Sequence, residues 1–223
     1  MKRPAAYLWA AAALAWAGAA PAQDAVFDFE DKEPGGTNFS AVGSTVNGIS
    51  LTVDRPVSAF KLVSIGPLGG PAAFGDTSLS PFNDFSDPTS ATPFRFSFSA
   101  ALSGLSLAFG DFGEDADTLT ITGYSGANAT GDVVFTTGGA LAGGGRAFIG
   151  GSAGVAGVGP FRSVTVIGGS PSFPNSVYLD NVAVTLFADA VPEPAAWAMM
   201  ILGFGAVGHR LRRRRARVRL AAA

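Results

Sequence analysis

Apolar and polar residues trade places one by one along much of the central chain, and only an extended strand gives such a pattern a use. Ile49, Leu51 and Val53 alternate with Ser50 and Thr52, and Phe94, Phe96 and Phe98 alternate with Arg95 and Ser97. Successive side chains of a strand point to opposite faces, so each run builds one apolar face and one polar face. Residues 105–109, 118–122, 133–136, 163–167 and 177–187 follow the same rule, separated by clusters of Gly, Asn, Asp and Pro. No helical period of comparable length occurs between residues 24 and 190. Short antiparallel strands with one apolar face each must bury those faces against a second sheet or by closing on themselves. The expected fold over residues 23–190 is therefore all-β, an antiparallel β-sandwich of jelly-roll type.

Composition removes several chemistries. The chain has no cysteine, so a disulfide framework, a thiolate metal site and a cysteine nucleophile are all unavailable. Its one histidine, His209, lies beyond the strand-forming region. That region contains only six basic residues, Lys32, Arg55, Lys61, Arg95, Arg146 and Arg162, against many more Asp and Glu, and an acidic body argues against nucleic acid as a partner. The alternating phenylalanines read as core; Tyr124 and Tyr178 are the better candidates for stacking on a sugar, or else sit at a sheet edge. Residues 138–159 are rich in Gly and Ala, which predicts a flexible loop or a weak edge hairpin.

Both ends read as addresses. Lys2 and Arg3 precede an apolar stretch over residues 7–17, and Ala20-Pro21-Ala22 supplies a small-x-small cleavage site, so residues 1–22 are expected to be a signal peptide cut before Gln23. Residues 195–208 are apolar or Gly, and as a helix they cover roughly 21 Å of a hydrocarbon core of roughly 30 Å. Extension through Leu211, with the arginines snorkelling to the headgroups, completes a single transmembrane helix. The basic stop formed by Arg210, Arg212, Arg213, Arg214 and Arg215 then lies in the cytoplasm, followed by a cytoplasmic tail over 216–223. Pro192-Glu193-Pro194, then Trp197-Ala198, an apolar helix and the arginine block, in that order, resembles the PEP-CTERM sorting tail in its PEPxxWA form over 191–215. The resemblance implies export from a Gram-negative bacterium, a transient stay in the inner membrane, and cleavage near the motif by an exosortase. It also implies that Pro192, Glu193, Pro194 and Trp197 are recognition residues.

Chemistry in the body rests on carboxylates. Gly150-Gly151-Ser152-Ala153-Gly154 has the spacing of a serine-hydrolase elbow, but no histidine base lies in the body, so the match is taken as chance. Asp111, Glu114, Asp115 and Asp117 crowd one short stretch; it is either a solvated acidic loop or a set of candidate ligands for Ca²⁺, which takes oxygen donors. Residues 26–31, VFDFED, and 177–184, VYLDNVAV, resemble the first and last strands of jelly-roll carbohydrate-binding modules. That resemblance implies calcium ligands at Glu30 and Asp180, with Asp28 or Asp31 as lesser ones. No residue is assigned a catalytic role. The expected protein is non-catalytic, secreted, and associated with the cell surface or with exopolysaccharide. A calcium-stabilised carbohydrate-binding module is the alternative, and paired carboxylates leave a glycoside hydrolase as a third.

Overall fold

The computed structural model describes residues 25–35, 38–56, 59–65, 74–80, 91–143, 145, 147–188 and 201–204. One compact unit spans Ala22–Ala188. Its described elements are eleven strands: β1 (Ala25–Phe27), β2 (Ala41–Val46), β3 (Ile49–Asp54), β4 (Lys61–Val63), β5 (Ser78–Ser80), β6 (Phe94–Asp111), β7 (Asp117–Tyr124), β8 (Val133–Leu141), β9 (Ile149–Val155), β10 (Phe161–Gly169) and β11 (Tyr178–Leu186). Every pairing is antiparallel. Of the second unit, only residues 201–204 are described; they form a helical turn with Ile201, Leu202 and Phe204 exposed.

The architecture turns on β6. Its first half, Phe94–Phe98, lies between β3 and β10, and the sheet continues through β2 on one side and through β7 and β8 on the other. Its second half lies between β11 and β9, with β1, β5 and β4 extending from β11. The two stretches of alternation at 94–98 and 105–109 are thus one strand of 18 residues. No proline interrupts them, and Gly104 permits a close approach: a Cβ there would lie 3.3 Å from the Thr185 side chain.

The two halves meet through their apolar faces as a β-sandwich. Phe27 of β1 packs on Phe98 of the first half of β6, with ring centroids 6.5 Å apart. Phe109, in the second half, reaches Gly139 of β8, where a Cβ would lie 2.7 Å from the ring. Phe27, Phe29, Phe60, Phe94, Phe96, Phe109 and Phe161 are fully buried. Each contributes about 1.5–3 kcal/mol by burial, so packing does the work that cross-links do in disulfide-bonded domains. The hairpin between β2 and β3 turns at Asn47 and Gly48, both left-handed (φ 52° and 79°), as a two-residue turn requires.

The Gly-rich segment departs from the expected flexible loop or edge hairpin. It contributes the end of β8 and the whole of β9 to different halves, each paired to another strand. Its glycines make room for rings, since a Cβ on Gly150 would lie 3.1 Å from Phe74 and 3.3 Å from Phe148. Those two rings form a small second cluster with Phe112 and Tyr178, at centroid distances of 4.8 to 6.2 Å. Tyr178 is therefore buried in this cluster and offers no stacking platform, while Tyr124 is half-exposed at the end of β7.

Candidate functional site

Two groups of carboxylates stand out, and they are built differently. In the first, the pairing Phe27↔Val182 brings the residues after β1 beside β11, and Leu179↔Leu79 brings Ser78 beside Asp180. The chain turns at Phe29, which holds a left-handed φ of 57° with its ring fully buried. Glu30 then points at the segment before β5, where its Oε1 accepts hydrogen bonds from the backbone N–H of Asp76 (2.8 Å) and Thr77 (3.0 Å). Gly75 is required there: its φ is 56°, and a Cβ would collide with Glu30 Oε1.

Asp180 sits at the centre of this group and is fully buried. Its Oδ1 accepts the N–H of Asn181 (2.6 Å) and its Oδ2 accepts the Ser78 hydroxyl (3.2 Å). Asn181 is left-handed (φ 48°), and the register of β11 on β6 shifts between Asp180 and Ala183. The ion pairs among the described residues, Lys32–Asp31 at 2.6 Å and Arg95–Asp54 at 2.8 Å, leave Asp180 out. Burial, and then the charges of Glu30 and Asp28, push its carboxyl up to about 8 against the pull of its two hydrogen bonds. Glu30 and Asp28 thus act on Asp180 through their charge, and Asp31 turns to Lys32 instead.

The second group lies where β6 ends and β7 begins. Asp111 and Asp117 hydrogen-bond to each other through their carboxyls. Asp111 also accepts the Gly113 N–H (2.8 Å), and Asp117, buried, accepts the Ser176 hydroxyl (3.3 Å). Burial and the charges of Asp111 and Asp115 push Asp117 up to about 6, and burial also raises Asp111. Asp115 and Glu114 are exposed. Two carboxyls in contact satisfy each other by holding a proton between them.

Among the described residues, no three His, Cys, Asp or Glu side chains converge on a point that could hold a metal ion. The first group offers carboxylate and hydroxyl oxygens of the kind calcium takes, so it suits the ion in chemistry but needs further oxygens, from backbone or water, to reach the usual six to eight. Ser152 lies in mid-strand on β9, with nothing of a strand-to-helix elbow. Asn181, Ser78, Ser176 and Gly75 were not singled out from sequence. The Asp180-Asn181 pair interrupting an apolar strand was the one signal that pointed to the bulge.

Pro192, Glu193, Pro194, Trp197, the basic stop and the signal peptide lie outside the described residues. Among the described residues, no helix is long and apolar enough to cross a membrane. Residues 190–215 match the family model described as the PEP-CTERM protein-sorting motif. The chain carries that sorting motif. It implies an exported protein of a Gram-negative bacterium addressed to an exosortase.

No curated protein matches the chain. Among solved structures, the K2 cleaved adhesin domain of Lys-gingipain is similar at a TM-score of 0.45 and 18% identity, covering 74% of this chain and 98% of that one. The CBM22-2 xylan-binding domain of Xyn10C from Paenibacillus barcinonensis follows at 0.40 and 13%, covering 73% and 98%. A family 29 carbohydrate-binding module, a point variant of CBM29-2, follows at 0.34 and 11%, covering 76% and 100%. Scores below 0.5 assign nothing further to this chain, and its architecture stands on the strand pairing described above.

Proposed function

We propose that the protein is a secreted, non-catalytic β-sandwich of jelly-roll type that is exported through a signal peptide over residues 1–22. In this proposal a single helix between Trp197 and Gly208 holds it in the inner membrane, and an exosortase then releases it to the cell surface or into exopolysaccharide. The observation that carries this proposal is the sorting motif at 190–215 on an all-β body. Replacing Pro192-Glu193-Pro194 with alanines in the native host is expected to leave an unprocessed, membrane-retained form, seen by fractionation and immunoblot. Normal release of that variant would remove the proposal's basis.

A second possibility is a calcium-stabilised carbohydrate-binding module, favoured by the buried Asp180 carboxyl beside Glu30 and Asp28 with no ion-pair partner among the described residues. Calcium would be held by Asp180 and Glu30, with Ser78 and Asp28 adjacent, and would supply the positive charge that this group otherwise lacks. Asp111, Glu114, Asp115 and Asp117 are the lesser candidate set, because two of them already pair with each other. A glycan array run with and without EDTA separates this possibility from a purely structural role.

A further inference from the structure

A strand inside a sheet places its backbone N–H and C=O groups on two neighbours, and an outermost strand keeps one row of them with no strand to meet. Among the described residues β8 pairs with β7 alone, so it ends the first sheet with such a row. The register on β7 skips Val134, and from Phe135 to Leu141 every residue has its own partner between Gly123 and Asp117. Of the other outermost strands, β2 has six residues, β1 and β4 have three each and β9 has seven, against nine in β8.

Open edges are commonly guarded by proline, by charge or by a bulge that twists them away. β8 has neither proline nor charge, and its irregularity is confined to its start. The body is acidic, yet none of its Asp or Glu lies within residues 133–161, where Arg146 is the single charge. Asp132, directly before β8, and Glu114 and Asp115, beside Gly143, stand past the two ends of the strand. Across the sandwich, β9 receives the Thr137 hydroxyl on its Gly154 carbonyl (3.4 Å), and it too is free of charge and proline.

The strand also fits itself. Two copies running antiparallel about a twofold axis at Gly138 pair the whole regular stretch, Phe135 to Leu141, with no residue left over. On the inner face Phe135 then meets Leu141 of the other copy, and Thr137 meets Gly139. On the outer face Thr136 meets Ala140, and Gly138 meets its own equivalent. Apolar side chains face each other at the ends, each threonine faces a small residue, and no charge faces its like. A slip by one residue turns inner side chains against outer ones and loses the match.

We infer that β8 is a self-association edge, at which two copies of this chain pair antiparallel about Gly138 and join their first sheets into one. The partner is a second copy because the match is of the strand with itself.

The test uses the full chain, solubilised in mild detergent. The chain has no cysteine, so engineered thiols are the only ones present, and Thr136 and Ala140 are exposed. In Thr136→Cys/Ala140→Cys each new thiol faces one of the other copy, with Cα atoms about 4.5–5.5 Å apart, within the range that a disulfide spans. Within one copy the two positions lie about 13 Å apart along the strand and cannot be bridged. Mild oxidation is expected to give a disulfide-linked dimer from the double variant on a non-reducing gel, and monomer from Thr136→Cys or Ala140→Cys alone. A second pair of variants reads the same contact without oxidation. Thr136→Lys/Ala140→Lys sets Lys against Lys, Thr136→Lys/Ala140→Glu sets Lys against Glu, and the first is expected to show a dimer Kd roughly tenfold higher by sedimentation. Three results would overturn the inference. Absence of a linked dimer from the double cysteine variant shows that the edges do not meet. Equal linking by either single variant shows contact without this register. Equal Kd values for the two charged variants show that positions 136 and 140 do not face each other.

Discussion

The two carboxylate groups of this body have similar charge and opposite construction. The one at 111–117 comes from a single hairpin connection, and half-buried Asp111 and buried Asp117 answer each other. The one around Asp180 draws on three segments far apart in sequence, 28–30, 75–78 and 180–181, and is held by two left-handed non-glycine residues and a required glycine. Density of acidic residues along the chain and assembly from distant segments are thus two different ways of gathering carboxylates. Strained backbone persists only where its surroundings enforce it, and here it surrounds Asp180.

The largest effect expected to separate the two groups is on calcium binding. In a fragment covering residues 22–190 at pH 8, calcium at about 100 times its Kd would add about 2.7 kcal/mol, a rise of roughly 5–10 °C in Tm. Asp180→Asn is expected to abolish that rise and Asp117→Asn to keep it. The opposite result would exchange the roles of the two groups, and an unchanged wild-type melt would remove calcium from both.

A smaller effect follows from titration without metal. Both carboxyls bind protons more tightly folded than unfolded, so each contributes stability at low pH that is lost as pH rises through its folded value. Asp117 completes that loss near about 6, and Asp180 near about 8. Between pH 6 and 8 the metal-free fragment should lose up to about 1.4 kcal/mol per pH unit through Asp180, by urea unfolding. Asp180→Asn should flatten that slope; a slope that survives the substitution would assign it elsewhere. The smallest effect is expected from Ser176→Ala, about 1 kcal/mol of stability, because it removes one hydroxyl donor from Asp117 while the carboxyl pair remains. Its calcium response should not change.

Much of the fold was legible because alternation is a local property. The stripes at 49–53 and 94–98 became β3 and the first half of β6, and the alternating phenylalanines are core. The continuity of β6 was not legible, since nothing local says whether two apolar runs separated by Ser-Ala-Ala-Leu-Ser-Gly bend or break. Glycine misled in 138–159: chain entropy argues for a loop, but Gly139 lies where the Phe109 ring of β6 passes too close for a side chain, and Gly150 lies tight against the rings of Phe74 and Phe148. At the candidate site, the resemblance named Glu30 and Asp180 together, and in the structure the charges of Glu30 and Asp28 raise the Asp180 carboxyl. Ser78 and Gly75 come from a segment more than a hundred residues away from Asp180 in the chain, and only the β5–β11 pairing reveals them.

A body whose two sheets own one strand in common cannot lose either sheet and keep the other. Pulled from its ends, such a body would hold as a single latch up to its breaking force and then open in one step, because no half of it is free to give way first.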